Sequence, residues 1–175
     1  VYACASASGP GVGVGATPRP LSHALRLLLT QATAVSKYKD WWWKARLGKC
    51  YYQLGLLRDA EQQFKSALRH ESMIAAVLEL AKVYIKLDQP NTALYCFKAA
   101  HEIHRGDTSL VLGQARIHDM MNAAAESVEL YKEVLRLDSS CAEAVACLAA
   151  HHFYSDQPEV ALRYYRRLIQ MGLHN

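Results

Sequence analysis

The chain has 175 residues, half of them apolar (51%), with a formal net charge of +4. That length and apolar content allow a folded core and exclude disorder by composition. The charge permits weak attraction to acidic partners but is too small for a nucleic-acid-binding signature.

Residues 1–20 (VYACASASGPGVGVGATPRP) are rich in Gly, Ala, Ser and Pro and lack an amphipathic period, so they predict a flexible tail. The first residue is Val, not Met, which reads as a fragment of a longer gene. No basic start precedes an apolar run, so a signal peptide is not expected. The run GPGVGVG follows no strand and opens no long helix, which argues against a phosphate loop. Residues 21–36 predict one further helix, packed on the first of the repeats that begin at residue 41. They are too short, and too interrupted by His23 and Arg26, to cross a membrane.

From residue 41 the chain becomes periodic. Gly48, Ala81, Ala115 and Ala149 recur at spacings of 33, 34 and 34 residues. With these small residues at the eighth position of each unit, the seventh reads Leu47, Leu80, Gln114, Leu148. The eleventh reads Tyr51, Tyr84, His118, His152. The twentieth reads Ala60, Ala93, Ser127, Ala161, and the twenty-fourth Phe64, Phe97, Tyr131, Tyr165. Small residues at the eighth and twentieth places let two antiparallel helices approach closely, and aromatics fill the space between neighbouring hairpins. A period near 34 with this pattern is the signature of tetratricopeptide repeats.

The sequence thus predicts an all-α fold, a right-handed superhelical solenoid of about four helix–turn–helix repeats: 41–73, 74–107, 108–141 and 142–175, the last closing a truncated array. The helices are expected at 41–54, 57–70, 74–87, 90–104, 108–121, 124–137, 142–155 and 158–171, with no strand. Gly55, Asp88, Asn122 and Asp156 fall at the fifteenth position, where the first helix of each unit should end in a left-handed residue. Pro90 and Pro158 suit the start of the second helix, and Asp40 suits an N-cap. Two positions break the pattern: Gln114 is polar where Leu is usual, and Lys44 replaces a large apolar residue. Trp42 and Trp43 are expected to supply the missing bulk. Three consecutive tryptophans, Trp41 to Trp43, cannot share one helix face. At least one is expected to pack inward, one to meet the preceding helix and one to stay exposed, with packing favoured over partner contact.

Candidate chemistry is sparse. The five cysteines (Cys4, Cys50, Cys96, Cys141, Cys147) are odd in number and lack ligand spacing, so they read as reduced, mostly buried thiols of a cytosolic protein. His101 and His104 lie three apart near a helix end, where the helix dipole favours His, and do not form the H-E-x-x-H zinc arrangement. His151 and His152 face different sides, His152 at an aromatic core position. No nucleophile is paired with a base. No catalytic residue, metal site or cofactor site is expected, and the chain reads as non-enzymatic.

The ninth position carries Lys49, Lys82 and Arg116, then Ala150. In a tetratricopeptide superhelix the first helix of each unit lines the concave groove, so these three cations would form a ladder there, with Tyr52, Phe153 and Tyr154 nearby. Such a groove suits an extended or helical segment bearing acidic side chains; the alternative is a solvated face with stray charges. Arg163, Tyr164, Tyr165, Arg166 and Arg167 form a basic aromatic patch on the last helix. Tyr165 is expected in the core and the three arginines in solvent, where contact with acidic lipid is a further option.

Five stretches are more specific than a generic repeat: YKDWWWKARLGKCYYQLGL at 38–56, EQQFKSALRHE at 61–71, LAKVYIKLDQPNTAL at 80–94, YKEVLRLD at 131–138 and HFYSDQPEVALRYYRRLIQMG at 152–172. Together, over residues 37–172, they closely resemble the tetratricopeptide-repeat protein 8 family, the Bardet–Biedl syndrome 8 proteins. The resemblance implies a subunit of the BBSome, a coat-like adaptor that moves membrane proteins into and out of cilia. It also implies other BBSome subunits as partners, an indirect link to an Arf-like small GTPase and ciliary membrane cargo, and a place at the cilium, basal body and centriolar region. No catalytic residue is carried over. Family members continue with further repeats after a QMG segment like that at 170–172, which predicts an uncovered apolar face on helix 158–171 and self-association. The competing reading is a co-chaperone that grips the C-terminal carboxylate of a heat-shock protein. That clamp needs Lys and Asn on the groove helices, and helices 41–54 and 74–87 contain no Asn.

Overall fold

The computed structural model describes residues 20–35, 41–69 and 72–172. The tail expected over residues 1–20 lies outside the described residues up to Pro20, as do Cys4, the GPGVGVG run and the proposed cap Asp40. Among the described residues there are nine helices and no strand: α1 (Pro20–Val35), α2 (Trp41–Gln53), α3 (Leu57–Leu68), α4 (Ile74–Lys86), α5 (Pro90–Ile103), α6 (Thr108–Met120), α7 (Ala124–Leu137), α8 (Ala142–Tyr154) and α9 (Pro158–Gly172). From α2 onward every helix begins at its predicted residue, and the ends differ only within the last turn.

Local chemistry explains these boundaries. Gly55, Asp88, Asn122 and Asp156 all have positive φ, between 54° and 77°. At each of these turns the next residue's N–H reaches back to the carbonyl of the eleventh repeat position: Leu56 to Tyr51, Gln89 to Tyr84, Ala123 to His118 and Gln157 to His152, at 2.9–3.0 Å. This six-to-one bond closes a helix that ends in a left-handed residue and satisfies an otherwise orphaned carbonyl. Pro90 and Pro158 open α5 and α9, where no N–H is needed. Among the described residues, Asp107 caps α6, accepting from the backbone N–H of Ser109 (2.9 Å) and of Leu110 (3.3 Å).

The helices divide into two compact units, one holding α1–α5 and the other α6–α9. In the first, each helix packs on the next and α2 also meets α4; in the second, α6, α7, α8 and α9 pack in sequence. The small residues do the work expected of them. Ala81, Ala115 and Ala149 are buried, as are Ala60, Ala93, Ser127 and Ala161. Ser127 keeps its hydroxyl satisfied by donating to the Ala124 carbonyl at 3.1 Å. The core of the second unit gathers Val111, Ala115, Tyr131, Val134, Ala144 and Leu148. Gln114 is buried despite its polarity.

Three expectations about side chains are corrected. Lys44 is itself buried, its aliphatic stem occupying the apolar position; Trp43 packs on the Leu29–Leu47–Cys50 cluster, while Trp42 is 43% exposed. Tyr165 is not core: it is 37% exposed, against 0%, 4% and 3% for Phe64, Phe97 and Tyr131 at the same repeat position. Arg167 is not simply solvated, because it is half-buried and donates to the Ser139 carbonyl at 2.6 Å.

Candidate protein-binding surface

The ladder positions sit on the first helix of successive hairpins, and each cation has a different environment. Lys49 on α2 is exposed and borders a pocket with Trp42, Trp43, Arg46 and Cys50. Lys82 on α4 is exposed and donates to Glu79 one turn earlier, at 3.0 Å. Arg116 on α6 forks onto both carboxylate oxygens of Glu143 on α8 through Nε and Nη2. That charge-assisted pair pushes the Arg116 guanidinium above its ordinary range, with burial opposing.

Lys49, Tyr52 and Lys82 belong to the first unit, on the packed helices α2 and α4, with Tyr52 half-buried. Arg116, Phe153 and Tyr154 belong to the second. Phe153 and Tyr154 meet edge to face (centroids 5.5 Å apart) and are both exposed, 56% and 64%. Glu143 stands in the first turn of α8 and these rings in its last, so about 15 Å of helix separates Arg116's partner from them. The structure therefore does not bring Arg116 and the two rings together.

Two features escaped sequence reasoning. The carboxylates of Glu79 and Glu143 occupy two of the three cations; the first was readable from its i, i+3 spacing with Lys82, the second only from tertiary structure. Arg46 lies over the Trp42 ring, 4.9 Å from its centroid, an i, i+4 pair that the spacing announces.

Among the described residues the histidines and cysteines gather at no shared site. His101 and His118 each hold a buried Nδ1 without a hydrogen-bond partner. His152 stacks on Tyr164, the rings nearly parallel with centroids 5.6 Å apart, and its Nδ1 lies 2.9 Å from Gln157 Oε1. Among the described residues no disulfide joins Cys50, Cys96, Cys141 and Cys147, and burial raises the pKa of the first two. Among the described residues no three His, Cys, Asp or Glu side chains gather as a metal site, and no helix is long and apolar enough to cross a membrane.

No protein-family model matches the chain. It is 55% identical over 135 residues to tetratricopeptide repeat protein 8 of Mus musculus, covering 77% of this chain and 26% of that protein. The protein of the same name from Homo sapiens is 54% identical over 131 residues (75% of this chain, 24% of the relative). That from Caenorhabditis elegans is 39% identical over 142 residues (81% and 28%). The chain thus spans about a quarter of the length of these curated relatives. Among solved structures, MamA from Desulfovibrio magneticus RS-1, residue 41 to the end, superposes with a TM-score of 0.73 at 16% identity, covering 90% of this chain and 89% of that one. YrrB, described as a tetratricopeptide-repeat protein with an unusual peptide-binding site, gives 0.63 at 20% identity, covering 86% and 78%. The fold is that of an all-α tetratricopeptide-repeat solenoid, and over some three quarters of its own length the chain belongs to the tetratricopeptide repeat protein 8 family.

Proposed function

We propose that the chain is a non-catalytic protein-interaction scaffold and acts as part of a BBSome subunit in ciliary membrane-protein trafficking and cilium assembly. The observation that carries this reading is the 55% identity to tetratricopeptide repeat protein 8 over 77% of the chain. The repeat fold supports it, because stacked hairpins supply extended binding surface. On this reading the units 41–73, 74–107, 108–141 and 142–175 are the repeats. The partners are other BBSome subunits, with an Arf-like small GTPase and ciliary membrane cargo linked indirectly. The protein works in the cytoplasm at the cilium, basal body and centriolar region. The test is to tag the protein at its own locus in ciliated cells and identify what co-purifies. BBSome subunits should be recovered with it; a protein that fractionates without them would end this reading.

A second reading, an adaptor for acidic peptide segments, is favoured by one observation: Lys49 is exposed and has no carboxylate partner among the described residues. Lys49, Lys82 and Arg116, with Tyr52, Phe153 and Tyr154, would be the contact residues. The co-chaperone form of that reading is weakened by the lack of Asn in α2 and α4.

A further inference from the structure

We propose that the pocket between α1 and α2 is a recognition site for a short acidic protein segment carrying an apolar anchor side chain. The inference rests on the scaffold reading but not on membership of any particular complex. The pocket encloses about 500 Å³. That lies within the range of small-ligand sites and holds one or two side chains, not a folded domain. Its apolar floor is Leu29 of α1 with Trp43 and Cys50 of α2, and its rim is Trp42, Arg46 and Lys49.

The rim is a product of helix geometry. Trp42, Arg46 and Lys49 lie at i, i+4 and i+7, so one stripe of α2 presents an indole and two cations together. The guanidinium rests over the Trp42 ring, which holds the cation at the edge of the pocket. Trp42 remains 43% exposed, leaving a large apolar surface beside the opening.

Among the described residues, the two helices that form the pocket carry no acid, and this sets the occupant's charge. Neither α1 nor α2 contains an Asp or Glu, whereas every other described helix has at least one. Among the described residues neither Arg46 nor Lys49 is ion-paired, in contrast to Lys82 and Arg116. Residues 1–49 hold seven Lys and Arg against one acid, a net +6; residues 50–175 hold thirteen against fifteen, a net −2, which together give the +4 of the chain. Along the sequence, the excess of basic residues thus falls in the part that includes α1 and α2. Carboxylates flanking an apolar side chain would meet Arg46 and Lys49 while the side chain covers the floor, pairing charge for register with burial for affinity. A concave, apolar-floored pocket favours such a segment over a flat lipid surface.

All three tryptophans of the chain lie in α2, so their emission reports on this site. The probe is a blocked hexapeptide, Asp-Glu-Leu-Phe-Glu-Asp, titrated into the full chain with tryptophan fluorescence and anisotropy of a labelled copy as readouts. Saturable binding is expected, weakened at least tenfold by Arg46→Glu with Lys49→Glu, by raised salt, and by Ala in place of both apolar residues of the peptide. Both substituted residues are exposed, so unchanged far-UV circular dichroism is expected. Arg46→Gln with Lys49→Gln should give a smaller loss in the same direction. The pair Lys86→Glu and Lys98→Glu, exposed residues that do not line the pocket, should leave peptide binding unchanged. The proposal is overturned by no binding, by binding indifferent to the Arg46 and Lys49 changes, or by equal loss in the Lys86 and Lys98 pair, which would make the attraction a matter of net charge alone. It is also overturned if the chain co-sediments with phosphatidylserine-containing vesicles but ignores the peptide. None of these outcomes bears on whether the protein co-purifies with BBSome subunits.

Discussion

Gly48 and Gly55 are required for opposite reasons. A Cβ on Gly48 would stand 3.0 Å from the ring carbons of Phe64, which is fully buried and has little room to give. That contact explains why the first repeat uses Gly where the others use Ala. Gly55 has open space around it, and its need is conformational: at φ +77° a side chain would meet its own backbone. Asp88, Asn122 and Asp156 tolerate the same region at the equivalent turns, as short polar side chains do. Gly55→Ala should therefore destabilise the chain by about 1 kcal/mol, read as a lower urea midpoint at unchanged slope, whereas Gly55→Asn should lose less. Equal midpoints for Gly55→Ala and the parent would mean that this turn is not held in the left-handed region.

At the scale of elements, α3 and α4 are joined by a polar cluster around Glu61. This carboxylate accepts from Lys65 (2.7 Å), from Arg58 (3.1 Å) and from the Tyr84 hydroxyl on α4 (3.3 Å). The Lys65 hydrogen bond is the largest influence holding its pKa below the ordinary carboxylate range, with burial opposing. A carboxylate whose folded-state pKa is lowered stabilises the fold fully above its unfolded value, and that stability is lost as the pH falls through the lowered folded value. Glu61→Gln should therefore cost stability at pH 7 and nothing below the acid transition. Because Arg58 and Lys65 are well exposed, the neutral-pH cost is about 1 kcal/mol or less. Urea midpoints measured from pH 7 down to pH 3 should converge for the parent and the variant, and parallel curves would dismiss the cluster as a source of pH dependence. Helix starts and left-handed turns were legible from the sequence because they depend on single residues such as Pro90, Asp88 and Asn122, whose preferences act locally. The Glu61–Tyr84 contact was not, since it needs α3 and α4 to be docked. The same limit hid Glu143, which is 27 residues from Arg116, and which of the three tryptophans turns inward, which depends on where α1 lies. The ladder was readable as a set of positions, but not the carboxylates that occupy two of its members.

For the whole molecule, the question is which surfaces adhere. Leu162, Tyr165 and Ile169 lie at i, i+3 and i+7 on α9 and are 49%, 37% and 64% exposed. At the twenty-fourth repeat position this exposure contrasts with the burial of Phe64, Phe97 and Tyr131, and those residues lie on helices followed by another described hairpin. A stripe of three large apolar residues on one helix face is adhesive, whereas single exposed apolar residues elsewhere, such as Ile103, are ordinary. The chain should therefore associate as its concentration rises, seen by light scattering as a mass above 19.6 kDa. Leu162→Glu with Ile169→Glu should return the monomer mass without loss of helix content, since neither side chain is buried. The Arg46→Glu and Lys49→Glu changes on α2 should leave association untouched. A parent chain that stays monomeric at every concentration would show that the α9 stripe does not bind itself, and would leave its exposed residues open to a different protein.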